Sequence, residues 1–121
     1  MWVYNIQTGN IFGPIGLRIG TGYSGHEAGK NNPAMVNVPN FGPIPPGTYD
    51  IGPAEDHPHL GPVVMALTPH ETNVMYGRSG FFIHGDSGLH PGEASHGCII
   101  QGAACRRAIA ASPDKILEVT I

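Results

Sequence analysis

Cys98 and His84 are the residues in this chain best suited to covalent chemistry. They lie 14 positions apart, joined by a loop rich in glycine and proline. His84 ends the short apolar run Gly80-Phe81-Phe82-Ile83, and Cys98 ends the segment Pro91-Gly92-Glu93-Ala94-Ser95-His96-Gly97. A loop of this length can fold back and bring the imidazole to the sulfur. A thiol attacks as the thiolate, whose pKa falls beside a histidine or near a helix N-terminus. A base within hydrogen-bond reach completes the minimum set for covalent acyl transfer. Gly97 permits a positive φ or a tight backbone approach. The amides of Gly97 and Cys98 would then converge as an oxyanion hole requires. Asp86, Ser87 or a backbone carbonyl could orient the imidazole. His96 is the secondary candidate for the base, because a residue two positions from the nucleophile is poorly placed to face its sulfur.

The bland readings stand beside this one. A cysteine in a small domain commonly serves as a buried small hydrophobe, and Cys105, among alanines, fits that role. His84, His90, His96 and Cys98 are possible zinc ligands by type. No paired spacing of the CxxC or HxxxH kind supports a metal site, so neither a metal nor a cofactor is expected. His57, His59 and His70 lie beside prolines or in polar turns and read as surface residues.

The elements that must position this pair are short. Trp2 to Gln7 alternates apolar and polar, Thr8-Gly9-Asn10 reads as a turn, and a second run begins at Ile11, so a hairpin is expected. Leu17 to Ile19 is another short strand. Gly20 to Asn40 reads as a long structured loop, a kind that is often functional. Gly42-Pro43-Ile44-Pro45-Pro46-Gly47 is a rigid turn. Strands are expected at Thr48 to Ile51, Val63 to Thr68, Gly80 to His84 and Ile116 to Ile121, with a His/Pro loop from Glu55 to Pro62. Gly102 to Ala111 is alanine-rich and stops at Ser112-Pro113, the pattern of a helix. The expected fold is mainly β, a sandwich or barrel with one short helix after the cysteine, occupying residues 1–121 as a single domain.

Composition narrows the function classes. The chain has 121 residues, suited to one core. Hydrophobic residues are 40% of it and the net charge is only −3, which argues against disorder. The only adjacent basic pair is Arg106-Arg107, so no patch exists to neutralise nucleic-acid phosphates. No stretch approaches the length of a membrane-spanning helix. The start, Met1-Trp2-Val3-Tyr4-Asn5, lacks the basic and apolar regions of a signal peptide.

Ile83-His84-Gly85 followed by Ser95-His96-Gly97-Cys98 resembles the active-site motif of YkuD-type L,D-transpeptidases. The loop between its halves is shorter than is usual there, and Ile100-Gln101 stands where an Arg or Asn commonly follows. The chain is more similar still to the type VI secretion L,D-transpeptidase effectors, the Tlde family of antibacterial toxins. That likeness spans five ordered blocks: Gly22-Tyr23-Ser24-Gly25, Lys30-Asn31-Asn32-Pro33, Gly42 to Tyr49, Phe82 to Ser87, and Pro91 to Ile99. The resemblance implies a cysteine L,D-carboxypeptidase or L,D-transpeptidase that acts on peptidoglycan stem peptides through a thioester. It also implies injection into the periplasm of a rival bacterium, a delivery component and a cognate immunity protein. Tyr23, Ser24, Asn32, Ser87 and Ser95 are expected along the substrate cleft, mainly from these blocks. The rival expectations are a non-catalytic wall-binding module and a housekeeping cross-linking enzyme.

Overall fold

The computed structural model describes residues 1–121. Nine strands form one sheet: β1 (Trp2–Asn5), β2 (Asn10–Phe12), β3 (Arg18–Thr21), β4 (Tyr23–Ser24), β5 (Gly47–His57), β6 (Gly61–Pro69), β7 (Phe81–His84), β8 (Ile99–Ile100) and β9 (Ile116–Thr120). Their order across the sheet is β3-β2-β1-β9-β5-β6-β7-β8-β4. β1 runs parallel to β9 and β7 parallel to β8, while the other neighbours are antiparallel. The single helix, α1 (Ala103–Ala111), follows β8.

The two end strands of this order, β3 and β4, are consecutive in the chain and separated only by Gly22. The run from Arg18 to Ser24 pairs with β2 through its first half and with β8 through its second. The sheet therefore curls into a nearly closed barrel, so the expected mainly β fold with one short helix takes its barrel form. Gly22 is the switch residue. Its N–H donates to the Gly9 carbonyl at 2.8 Å. A Cβ at Gly22 would lie 1.6 Å from the Ile100 carbonyl oxygen. Glycine is required there by close approach of backbones, not by an unusual φ.

Alternation explains the core. Trp2 and Tyr4, Tyr49 and Ile51, Met65 and Leu67, Phe81 and Ile83, and Leu117 and Val119 are buried and face the barrel interior from their strands. α1 adds Cys105 and Ile109, one helical turn apart, to the same core. Lys115 Nζ donates to the carbonyls of Ile109 and Ala110, satisfying the last turn of the helix.

The β5–β6 hairpin corrects one expectation. Glu55 to His57 and Gly61-Pro62 belong to its strands, and only residues 58–60 turn. Pro53 has no N–H for the ladder, and the pairing slips between Ile51 and Ala54. The expected loop at 20–40 also contains β4 and two single 3-10 turns. The hairpin tip reaches over β7, where the His57 ring meets Phe82 edge-on at 5.8 Å between centroids. Arg106 holds the tip by donating to the carbonyls of Pro62 and Val63. Val63 has φ +58°, a left-handed conformation that strains a β-branched residue.

Candidate active site

His84 ends β7, and Cys98 immediately precedes β8. Ile83 pairs with Ile99 and His84 with Ile100. Extending this parallel register by one residue sets Cys98 opposite Phe82. By ordinary strand spacing that register separates the Cα atoms of Cys98 and His84 by about 8 Å. They open onto different hollows. Cys98 lines one of about 300 Å³ with Asn40, Arg78, Ser79, Gly80 and His96. His84 lines a groove of about 580 Å³ between the hairpin tip (His59 to Gly61) and the loop carrying Asp86, Ser87 and Leu89.

Cys98 is half-buried, unpaired, and followed by fully packed Ile99. The Gly80 carbonyl lies 3.9 Å from its sulfur. Burial pushes the Cys98 thiol up, while the Phe82 N–H and the Arg78 guanidinium pull the other way without cancelling the rise. Cys105 is also unpaired but buried in the core, and burial pushes its thiol up to about 11. A thiol reagent applied to the native protein is therefore expected to modify Cys98 and spare Cys105 until the protein unfolds; the reverse order, read by peptide mass mapping, would contradict this assignment.

His84 is 3% exposed at the end of β7. Its Nδ1 lies 2.9 Å from the Gly85 carbonyl. A carbonyl only accepts, so this bond places the proton on Nδ1 and leaves the Nε2 lone pair available. Burial lowers the His84 pKa, aided by Arg106 and His57, so the ring is held neutral. The orienting group is thus a backbone carbonyl rather than Asp86. Asp86 instead accepts from the Tyr23 hydroxyl at 2.6 Å, from Ser87 N–H at 2.8 Å and from Gly92 N–H at 3.1 Å. Partial burial pushes its carboxyl up, but these bonds and Lys30 together bring it below its usual range.

The turn before Cys98 is held by two serines expected in the cleft. Ser95 is fully buried; its hydroxyl donates to the Cys98 carbonyl at 2.6 Å and accepts from the N–H groups of Gly25 and Gly97. Ser24, also fully buried, donates to the Gly97 carbonyl at 2.9 Å and accepts from Ile44 N–H. Both satisfy backbone groups and neither faces a substrate. Gly97 has φ +134°. Its N–H already donates to Ser95 Oγ, so it is not free for an oxyanion. None of the chain's loop hydrogen bonds engages the Cys98 N–H, which keeps that donor available.

The remaining expected contacts divide. Tyr23 is buried, donates to Asp86 and accepts from Ala94 N–H, which braces the 86–94 loop. Burial, then Asp86, pushes its hydroxyl up to about 12. Asn32 caps a 3-10 turn by accepting from Ala34 N–H, and its Nδ2 donates to the Ala28 carbonyl. Ser87 stays beside the His84 groove, its hydroxyl accepting from His90 N–H. His96 shares the Cys98 hollow, with Nδ1 3.0 Å from the Asn40 carbonyl and its ring 5.2 Å from that of His26. Sequence reasoning missed Arg78. Its signal was a lone cation flanked by Gly77 and Gly80 with no acidic neighbour in sequence. It also took His57 for a surface residue, although that ring packs over β7.

A family model described as the Tlde1 domain matches residues 18–112. Comparison with curated proteins and with solved structures gave no match.

Proposed function

We propose that this chain, which belongs to the Tlde1 domain family, is a type VI secretion effector that cleaves or exchanges the end of peptidoglycan stem peptides with Cys98 as nucleophile. The observation that supports this most is the parallel pairing of β7, which ends on His84 with Nε2 as its free nitrogen, with β8, which an unpaired, half-exposed thiol immediately precedes. His84 Nε2 takes the Cys98 proton as the sulfur attacks the carbonyl of the L-centre of the diamino acid at stem position three. The Cys98 N–H steadies the oxyanion. The protonated imidazole returns its proton to the departing D-alanine nitrogen as the C–N bond breaks, and a thioester remains. Water resolves the thioester in L,D-carboxypeptidase action; an incoming amine resolves it in L,D-transpeptidase action. Periplasmic action in a target cell, a delivery component and an immunity partner accompany this reading.

Mass spectrometry of tetrapeptide muropeptides incubated with the protein tests it. Tripeptide product indicates hydrolysis, and a stem carrying an added D-amino acid indicates exchange. Unchanged tetrapeptide under both conditions, with folded protein, would leave the reading without support.

A further inference from the structure

The turn from Tyr76 to Gly80 doubles back through three positive-φ residues, Tyr76, Gly77 and Gly80, and drives Arg78 inward. Arg78 is 9% exposed. Its Nη1 donates to the carbonyls of Val36 and Pro43, each at 2.7 Å, and its Nη2 to those of Gly42 at 2.9 Å and His96 at 3.3 Å. Its guanidinium lies 5.2 Å over the Phe81 ring. No carboxylate forms an ion pair with it. A buried charge is ordinarily paired, so a guanidinium satisfied only by backbone dipoles is unusual. It lines the same hollow as Cys98.

Gly97 ties the cation to the nucleophile. A Cβ there would lie 2.6 Å from Arg78 Nη2 and 2.7 Å from Phe81 Cε1. The residue before Cys98 must therefore be glycine in part because Arg78 occupies the space beside it. Four Arg78 donors are engaged by carbonyls, so the group acts on its surroundings chiefly through charge. The titratable groups facing this hollow are Cys98, Arg78 and His96, with His26 behind His96, the buried Tyr49 hydroxyl near Arg78, and His84 on β7; no carboxylate lines it.

Resting on the reading of Cys98 as nucleophile, we infer that Arg78 is a positioning residue: a fixed, uncompensated cation that both braces the 96–98 turn and favours negative charge on the Cys98 sulfur. The lowering influence of Arg78 on the thiol agrees with this.

The test is the pH dependence of Cys98 alkylation by iodoacetamide in a Cys105→Ser background, with folding followed by near-UV circular dichroism. Arg78→Gln is expected to raise the midpoint by about one pH unit and to slow alkylation at neutral pH about tenfold. Arg78→Lys, which keeps the charge and loses the fork, is expected to stay close to the parent. A folded Arg78→Gln protein with an unchanged midpoint, or a Lys variant that shifts as far as Gln, overturns the inference. The parent protein gives an answer that needs no variant. Anionic iodoacetate should react with Cys98 faster, relative to neutral iodoacetamide, than it does with a free thiol in solution. A ratio no higher than that of the free thiol also overturns the inference. Alkylation reads the sulfur without any peptide substrate, so a normal charge effect with no muropeptide product would sink the proposed function alone.

Discussion

Replacing Cys98 by alanine is expected to abolish release of D-alanine from tetrapeptide muropeptides, and replacing His84 by alanine to lower kcat/KM by about 10³. Without the sulfur no thioester forms, and nothing else in the hollow is a comparable nucleophile. The histidine loss is smaller because a solvent base can still remove some proton. The resting pair is a protonated thiol and a neutral imidazole, since burial disfavours both charged forms. Proton transfer therefore accompanies attack instead of preceding it. The rate should climb as pH rises through the His84 pKa, which lies below the ordinary 6.5, and the acid limb should disappear in the His84 variant. Stability carries the same sign. A histidine with a depressed folded pKa contributes stability above its unfolded value and loses it as pH falls through the folded one. His96→Ala is the control, because His96 shares the Cys98 hollow and also has its Nδ1 on a carbonyl. It should cost roughly tenfold at most, short of the roughly 10²-fold or more expected from loss of a general base. A His84 variant near full rate beside an inert His96 variant would exchange their roles.

Gly22→Ala is expected to destabilise the fold by about 3 kcal/mol or more, beyond ordinary overpacking. The added carbon would overlap the Ile100 carbonyl, which is backbone and cannot swing away. Relief requires β4 to separate from β8, and β8 leads directly from Cys98. Thermal denaturation and the muropeptide assay should therefore fail together. A melting temperature within a few degrees of the parent would mean that the strand switch at Gly22 is looser than its geometry indicates.

The elements legible in the sequence were those with enough residues to show a period or a biased composition. The Trp2-to-Phe12 hairpin displays a period, while the apolar β7 run and the alanine-rich helix show through composition. β4 and β8 have two residues apiece, too few for alternation, yet they close the barrel and carry the segment after Cys98. Prolines and histidines masked the long β5–β6 hairpin, because Pro53 and Pro62 look like breakers although one sits at a bulge and the other beside the turn. Cys98, His84 and Gly97 stood out because their types are chemically unusual in that order. Ser24 and Ser95 read as substrate contacts in sequence for a related reason: small polar residues near a nucleophile look available, yet their hydroxyls satisfy buried amides and carbonyls. Arg78 leaves only a weak signal because its partners are carbonyls, which any sequence supplies.

Barrel closure also bears on how these molecules behave in a crowd. A sheet's outermost strands ordinarily present unpaired amides on which another chain can template. Here the two ends of the strand order are one continuous run, paired with β2 through its first half and with β8 through its second. Self-association by strand addition consequently has little purchase until the Arg18-to-Ser24 run is peeled away, so concentrated protein should resist fibril growth up to the onset of global melting.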